Sequence, residues 1–261
     1  WVLEELELIG FFEENIEKKI YLGLRHYQLE DIYGTENYVD KLTEIFNKDN
    51  LLNRQFKSSS FIFLTQKSTL IPESFFDKSN LKAYFEFNQS LNELDEINYN
   101  FISEINAYNI FTVPNYIVNE VVNRLKNVDL FHQATPFIKS ILKKDIKTES
   151  ECVYVNMNNK FIDIAVAVDN RLLLYNTFQF QKETDLLYFI LYIYNQLNLD
   201  TRKSKLFISG EQSDKTEYYN ELKKYITAVK YLEPVDFLFS DVLEKYDKYK
   251  YLNLFNLVSC E

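Results

Sequence analysis

The fold is best predicted from residues 152–180, which run CVYVNMNNKFIDIAVAVDNRLLLYNTFQF. Three segments rich in β-branched and aromatic residues, 152–157, 161–168 and 171–180, are separated by short joints. The joints consist of Asn, Lys and Asp, and both Asn and Asp tolerate the positive φ angles that tight hairpin turns use. The stretch therefore predicts three consecutive strands joined by hairpin turns that contain no glycine.

The segments after this stretch alternate between helix and strand. A helix is predicted over about 184–198, and because its apolar residues lie all round, we expect it to be buried on most sides. Residues 205–209 predict a parallel-type strand that ends at Gly210, and another helix is predicted over about 214–226. This order of elements is typical of an α/β protein.

The part of the chain before this region also predicts a mixture of helices and strands. A helix is predicted at 38–46, strands at 61–65, 68–71, 97–103 and 107–113, and helices beginning at Pro72, Pro114 and Pro136. The charged stretch 143–151 contains one large apolar residue, Ile146, and marks the best boundary in the chain. We therefore predict two parts, residues 1–147 and residues 148–261.

The composition argues against several classes of functional site. The 261 residues include 4 glycines and 2 histidines, whereas average usage would supply roughly 18 glycines. Gly-rich phosphate loops and His-rich metal sites therefore lack their residues, and we predict no cofactor and no metal. The net charge of -10 argues against a direct nucleic-acid partner, since phosphate binding needs an excess of Lys and Arg.

The longest apolar run also argues against a membrane-spanning segment. Residues 186–194 are far shorter than the span of about 20 residues that a membrane helix needs. Cys152 and Cys260 are far apart and follow no metal-binding or redox spacing, which indicates reduced thiols. We expect a cytoplasmic protein that does not bind membranes.

Several short segments together resemble one bacterial family. They are TQKSTLIPE at 65–73, NIFTVP at 109–114, Phe131-His132, and LFNLVSCE at 254–261. These segments are similar to the uncharacterised family known as domain of unknown function 3822, over roughly residues 15–261. The resemblance implies an α/β protein with the actin-like ATPase fold, in which two related ribonuclease-H-like halves, 1–147 and 148–261, face a central cleft. It implies no particular activity.

The same resemblance assigns five residues to the positions of a nucleotide site in the actin and sugar-kinase superfamily. Asn156 stands where an Asp-x-Gly phosphate loop has its Asp, Asn158 stands where it has its Gly, and Lys160 follows. Gly210 and Glu211 stand where a Gly-Gly turn would hold adenosine. Asn is a poor Mg²⁺ ligand, a Cβ keeps the backbone away from phosphates, and the Glu carboxylate repels an anion. We expect a degenerate site with no catalytic residue.

The sequence leaves three functional hypotheses open. The first is a non-catalytic actin-like scaffold that docks an unknown protein partner and whose cleft is filled by large side chains such as Met157 and Phe180. The second is a nucleotide-dependent ATPase that uses Lys160, Asn156 and the Gly210 turn, with an open, polar cleft. The third is a small-molecule-binding regulator with an apolar pocket.

Two further features weigh on these hypotheses. The chain holds 20 Tyr and 22 Phe, which suits a protein interface, although an AT-rich genome would enrich the same residues. His132, beside Phe131, is expected to be packed or hydrogen-bonded within the structure rather than to act as a catalytic base.

Overall fold

The computed structural model describes residues 8–15, 18–28, 35–50, 52, 54, 56–125, 127–142, 151–210, 216–234 and 238–260. The strands are β1 (Leu8–Asn15), β2 (Ile20–Gln28), β3 (Ser59–Phe63), β4 (Ser68–Pro72), β5 (Asp95–Ile102), β6 (Ala107–Pro114), β7 (Val128–His132), β8 (Cys152–Met157), β9 (Phe161–Val168), β10 (Arg171–Gln179), β11 (Lys205–Ser209), β12 (Val229–Tyr231) and β13 (Leu238–Phe239). The helices are α1 (Thr35–Lys48), α2 (Leu81–Asn88), α3 (Asn115–Arg124), α4 (Ala134–Ile141), α5 (Glu183–Gln196), α6 (Thr216–Tyr225) and α7 (Leu252–Phe255). The chain is therefore a mixed α/β protein, as the sequence predicts.

The chain divides into two compact units. The first contains Trp1–Ile9 and His26–Thr135, and the second contains Gly10–Arg25 and Pro136–Glu261. The boundary predicted from the sequence lies within residues 143–150, outside the described residues. The division into two related halves therefore stays a prediction.

The second unit contains a five-stranded sheet in the order β10-β9-β8-β11-β12. Strands β8, β9 and β10 are antiparallel neighbours, and β11 runs parallel to both β8 and β12. The joint between β9 and β10 uses positive φ angles at Asp169 and Asn170, 49° and 58°, as the Asn and Asp residues predict. The joint between β8 and β9 closes without positive φ, through a hydrogen bond of 3.0 Å from the Asn158 N–H to the Phe161 carbonyl.

One face of this sheet packs against α5 and α6 in an apolar core. Its buried residues include Val153, Val155, Met157, Ile162, Ile164, Val166, Leu186, Ile190, Ile193, Leu206, Ile208, Leu222 and Ile226. The prediction that α5 is buried on most sides is wrong, because Tyr188 and Tyr192 are 61% and 42% exposed. Tyrosine combines an apolar ring with a polar hydroxyl, so a pattern that counts it as apolar overestimates the burial of the helix.

A second small sheet joins residues from distant parts of the chain. Its strand order is β1-β2-β13, and β13 runs parallel to β2. Beside it, Tyr21, Leu24, Leu243 and Phe255 form a buried cluster, in which the Tyr21 hydroxyl donates to the Phe255 carbonyl at 2.6 Å. The segment after β12 is therefore packed against β2.

The first unit contains two separate sheets. The antiparallel sheet has the order β4-β6-β5, and β3 and β7 form a parallel pair. Pro114 caps α3 as predicted, whereas α4 begins at Ala134, two residues before Pro136. Pro72 is followed by a single 3₁₀ turn, Glu73–Phe75, and not by the predicted helix.

A buried group of polar side chains, which we call the polar clamp, follows the ends of β3 and β7. The Gln133 side chain accepts a hydrogen bond from the Thr65 N–H at 3.0 Å and donates one to the Thr65 carbonyl at 2.7 Å. The His132 ring lies 2.9 Å from the same carbonyl through Nε2, and its Nδ1 accepts from the Ala134 N–H at 3.1 Å. This pattern assigns the neutral tautomer with the proton on Nε2.

The environment of His132 agrees with the structural role that the sequence suggests. Its ring is fully buried, and burial lowers its pKa from 6.5 to about 4. Both ring nitrogens are engaged by backbone groups, so the side chain connects the two strand ends.

Candidate functional site

The carboxyl ends of β8 and β11 lie side by side in the second unit and carry two of the residues selected from the sequence. Asn156 is buried near the end of β8, and Gly210 directly follows β11. The Asn156 side chain donates to Asp163 Oδ2 at 3.4 Å and accepts from the Ser209 hydroxyl at 3.3 Å. Both ends of the Asn156 amide are therefore engaged by neighbouring side chains.

Asp163 is a buried carboxyl group that the sequence analysis missed. The Tyr175 hydroxyl donates to its Oδ1 at 2.9 Å, and the Thr177 hydroxyl donates to the same atom at 2.7 Å. Burial, together with the charge of Asp163, holds the pKa of Tyr175 well above its usual value. The available signal was the single acidic residue within the apolar run FIDIAVAV, at 161–168.

Gly210 packs directly against the end of β8. Its φ is +91°, and a Cβ at this position would lie 2.4 Å from the Met157 carbonyl oxygen and 2.6 Å from the Met157 nitrogen. Its N–H donates to the Tyr249 carbonyl at 2.9 Å. Glycine is therefore required here for close packing of the protein backbone, and the N–H of the turn is engaged within the chain.

A stack of three tyrosines, which we call the tyrosine column, lies beside this turn. The Tyr231 ring is stacked against Tyr219 at 5.2 Å and against Tyr249 at 4.1 Å between ring centres. The Lys223 ammonium lies 4.4 Å from the centre of the Tyr219 ring, within the range of a cation–π interaction. The column anchors the 3₁₀ turn Lys248–Tyr251 next to Gly210.

The other positions selected from the sequence lie in different parts of the second unit. Asn158 and Lys160 lie in the turn between β8 and β9, and Asn158 Nδ2 is buried without a hydrogen-bond partner in the described part of the chain. Glu211 lies outside the described residues. Met157 belongs to the apolar core and Phe180 packs against it, so their role in filling a cleft stays a prediction.

The described residues show neither a metal-binding cluster nor a membrane-spanning helix. Among them, no group of three or more His, Cys, Asp or Glu side chains is placed to hold a metal ion. Nor does any helix within those ranges have the length and apolar character needed to cross a membrane.

Similar proteins were found at the level of family and fold. The sequence profile of a family described as "Protein of unknown function (DUF3822)" matches residues 10–229. A Bacteroides thetaiotaomicron protein, described as having an actin-like ATPase fold and unknown function, superimposes with a TM-score of 0.74 at 22% identity, over 91% of this chain and 88% of that one. A structure described as the PilM-PilN type IV pilus biogenesis complex gives a TM-score of 0.64 at 8% identity, over 98% of this chain and 96% of that one. No functionally curated protein matches the sequence.

The family match covers most of the chain, and both structural matches extend over nearly the whole length of the two chains. Structural likeness at these identities establishes a common fold and leaves activity open. The chain belongs to the DUF3822 family of proteins of unknown function and has the actin-like ATPase fold.

Proposed function

We propose that this protein is a non-catalytic actin-like scaffold that binds a protein partner and has a degenerate nucleotide site. The observation that carries the proposal is the environment of Gly210. Its N–H donates a hydrogen bond to the Tyr249 carbonyl at 2.9 Å, and its α-carbon lies against the backbone of Met157. A turn whose donor and free space are occupied by its own chain has little left with which to hold adenosine.

The side chains at the end of β8 support the same proposal. A magnesium nucleotide needs carboxylate oxygens for the cation, and Asn156 supplies only an amide. That amide is engaged by Asp163 and Ser209. The carboxyl of Asp163 is itself fully buried and accepts hydrogen bonds from two hydroxyl groups.

The likeness to the PilM-PilN structure adds a precedent at the level of the fold. That structure is described as a complex between two proteins, and its fold extends over nearly the whole of this chain. Binding of a protein partner is therefore compatible with this architecture.

A nucleotide-binding alternative is favoured by one observation. Asn158 Nδ2 is buried without a partner in the described part of the chain, and Lys160 lies in the same turn. An amide donor and an ammonium group within one turn match the acceptor oxygens of a phosphate.

A thermal-shift titration with Mg-ATP and Mg-ADP separates the two functions. We expect no change in melting temperature, whereas a ligand at 100 times its Kd would add about 2.7 kcal/mol and raise the Tm by roughly 5–11 °C. A magnesium-dependent rise would contradict the scaffold proposal. If Lys160→Ala then removed the rise while Lys203→Ala, at an exposed position outside the site, preserved it, the nucleotide-binding function would replace it.

A further inference from the structure

Five aromatic side chains form a partly exposed cluster on the antiparallel sheet of the first unit, which we call the aromatic ridge. Its members are Phe76, Tyr84, Tyr99, Phe101 and Tyr108. Phe101 of β5 and Tyr108 of β6 are register partners, so their side chains lie on one face of the sheet. Phe101 is exposed, and the other four residues of the ridge are half-buried.

The rings contact one another in a continuous series. Phe76 stacks on Tyr108 with 3.7 Å between ring centres and also lies 5.3 Å from Tyr99 and 6.5 Å from Tyr84. Tyr108 in turn lies 4.9 Å from Phe101. Contact between the rings restricts their movement, so little side-chain entropy remains to be lost when a partner binds.

Exposed aromatic and acidic groups border one end of the ridge. Phe75 is 71% exposed and Phe101 is 39% exposed. Glu73 follows β4, and its N–H donates to the Asn106 carbonyl at 2.8 Å, while Glu104 lies in the turn that joins β5 to β6. Neither carboxylate has an ion-pair partner among the described residues, although Glu104 accepts a hydrogen bond from the Ser103 hydroxyl.

The ridge already accepts one cation from within the chain. The Lys78 ammonium lies 5.6 Å from the centre of the Tyr99 ring, which is within the range of a cation–π interaction. Arginine suits such a surface better than lysine, because its planar guanidinium stacks on a ring while it pairs with a carboxylate. A surface of exposed rings bordered by carboxylates is complementary to a segment that carries arginine.

From this chemistry we infer that the aromatic ridge, with Glu73 and Glu104, is the surface that binds an arginine-bearing segment of the protein partner. The inference rests on the proposed scaffold function and identifies its docking surface. The guanidinium groups stack on the exposed rings near Phe101 and pair with the two carboxylates. The net charge of -10 assists the approach of a basic segment to this surface.

The test uses a defined probe and the full chain. An acetylated hexapeptide of alternating Gly and Arg is titrated into the protein by calorimetry, beside the same peptide with citrulline in place of arginine. Citrulline keeps nearly the same shape and removes the charge, so we expect clear binding of the arginine peptide and at least tenfold weaker binding of the citrulline peptide. Equal affinity for the two peptides, or no binding of either, would overturn the inference.

Matched variants locate the binding. Phe101→Ala and Phe75→Ala should each weaken binding by roughly two- to fivefold, whereas Phe87→Ala, on an exposed position of α2 outside the ridge, should not change it. The double variant Glu73→Gln/Glu104→Gln should weaken binding of the arginine peptide more than either aromatic variant does. Glu233→Gln, at an exposed position in the second unit, should leave the affinity unchanged.

The outcomes separate the inference from the proposed function. Binding that is insensitive to Phe75, Phe101, Glu73 and Glu104 would show non-specific attraction to an acidic protein and would overturn the inference. Since Phe75 and Phe101 are exposed, their variants should fold, and an unchanged Tm of each variant verifies this. The nucleotide titration tests the scaffold function independently, because it concerns the Gly210 turn in the other unit.

Discussion

The two units of the chain hold their strands together by different means. In the second unit, five strands form one continuous hydrogen-bonded sheet and bury apolar residues such as Val155, Ile164 and Ile208 against two helices. In the first unit the strands belong to two separate sheets, and the polar clamp of Gln133 and His132 connects the ends of β3 and β7.

The two units should therefore resist different kinds of substitution. Apolar burial is non-directional, so the second unit should tolerate exchanges of similar volume but not added volume at a close contact. The polar clamp depends on individual donors and acceptors, each of which is expensive to leave unpaired when buried. The first unit should therefore respond to loss of single hydrogen bonds and to pH.

The largest effect is expected from Gly210→Ala in the second unit. The new Cβ would lie 2.4 Å from a backbone oxygen of Met157, at a φ of +91°, so we expect a loss of about 3 kcal/mol or more in the free energy of unfolding. Gly23→Ala is the matched control, because a Cβ there meets no atom within 4 Å. Urea denaturation measures the stability of both variants. Equal losses of stability would contradict the close contact of Gly210 with Met157.

A slightly smaller loss of stability is expected when the pH is lowered, because His132 of the polar clamp is buried in its neutral form. The pKa of His132 is about 4 in the folded protein and 6.5 when exposed, so the unfolded state takes up the proton first as the pH falls. The stability that neutral His132 supports is complete above about pH 6.5 and lost progressively towards pH 4, in total about 3 kcal/mol. Denaturation at several pH values measures this loss.

The variant His132→Leu isolates that contribution, since all other titrating groups remain in place. Its stability should fall less steeply than that of the wild type between pH 6.5 and pH 4. Parallel pH profiles of the two proteins would contradict a buried, neutral His132.

Loss of the Gln133 side-chain amide should lower the free energy of unfolding by about 2 kcal/mol. Gln133→Leu keeps a similar volume but leaves the buried Thr65 N–H without its acceptor. Gln196→Leu, at the exposed end of α5, is the control and should change stability by less than about 0.5 kcal/mol. Chemical denaturation compares the two variants, and a neutral Gln133→Leu would show that the clamp contributes nothing.

The smallest effect is expected from Tyr175→Phe in the second unit. It removes one hydrogen bond to Asp163, which keeps its bond from Thr177, so a loss of about 1 kcal/mol is expected. Tyr225→Phe, on an exposed tyrosine, should be neutral. A loss well above that of Gln133→Leu would reverse the contrast between the two units, because a polar bond would then matter more in the apolar one.

The sequence predicts the second unit better than the first, for a physical reason. Strands β8, β9 and β10 follow from their β-rich runs, and the turn at Asp169 and Asn170 follows from their tolerance of positive φ. The polar clamp has no periodic pattern, since beyond the backbone bond from the Gln133 N–H to the Phe63 carbonyl the β3–β7 ladder is prolonged by the Gln133 side chain.

The candidate site was predictable in position but not in detail. The resemblance led to Asn156 and Gly210, which the structure brings to adjacent strand ends. The contact of Gly210 with Tyr249 joins residues far apart in the chain, and no local pattern indicates it. Asp163 was missed for a similar reason, because its partners Tyr175 and Thr177 become neighbours only when the hairpin forms.

The pairing of β2 with β13 has a consequence for the order in which the chain folds during synthesis. Tyr21 packs against Phe239 and Phe255 and donates its hydroxyl hydrogen to the Phe255 carbonyl, across 234 positions of sequence. The ribosome releases β2 and its neighbour β1 long before β13 and Phe255 exist, whereas the first unit can close as soon as β7 has emerged. Until then Tyr21 and Leu24 lack the apolar contacts of Leu243 and Phe255, so changes near Phe255 should reduce soluble yield before they affect the folded protein.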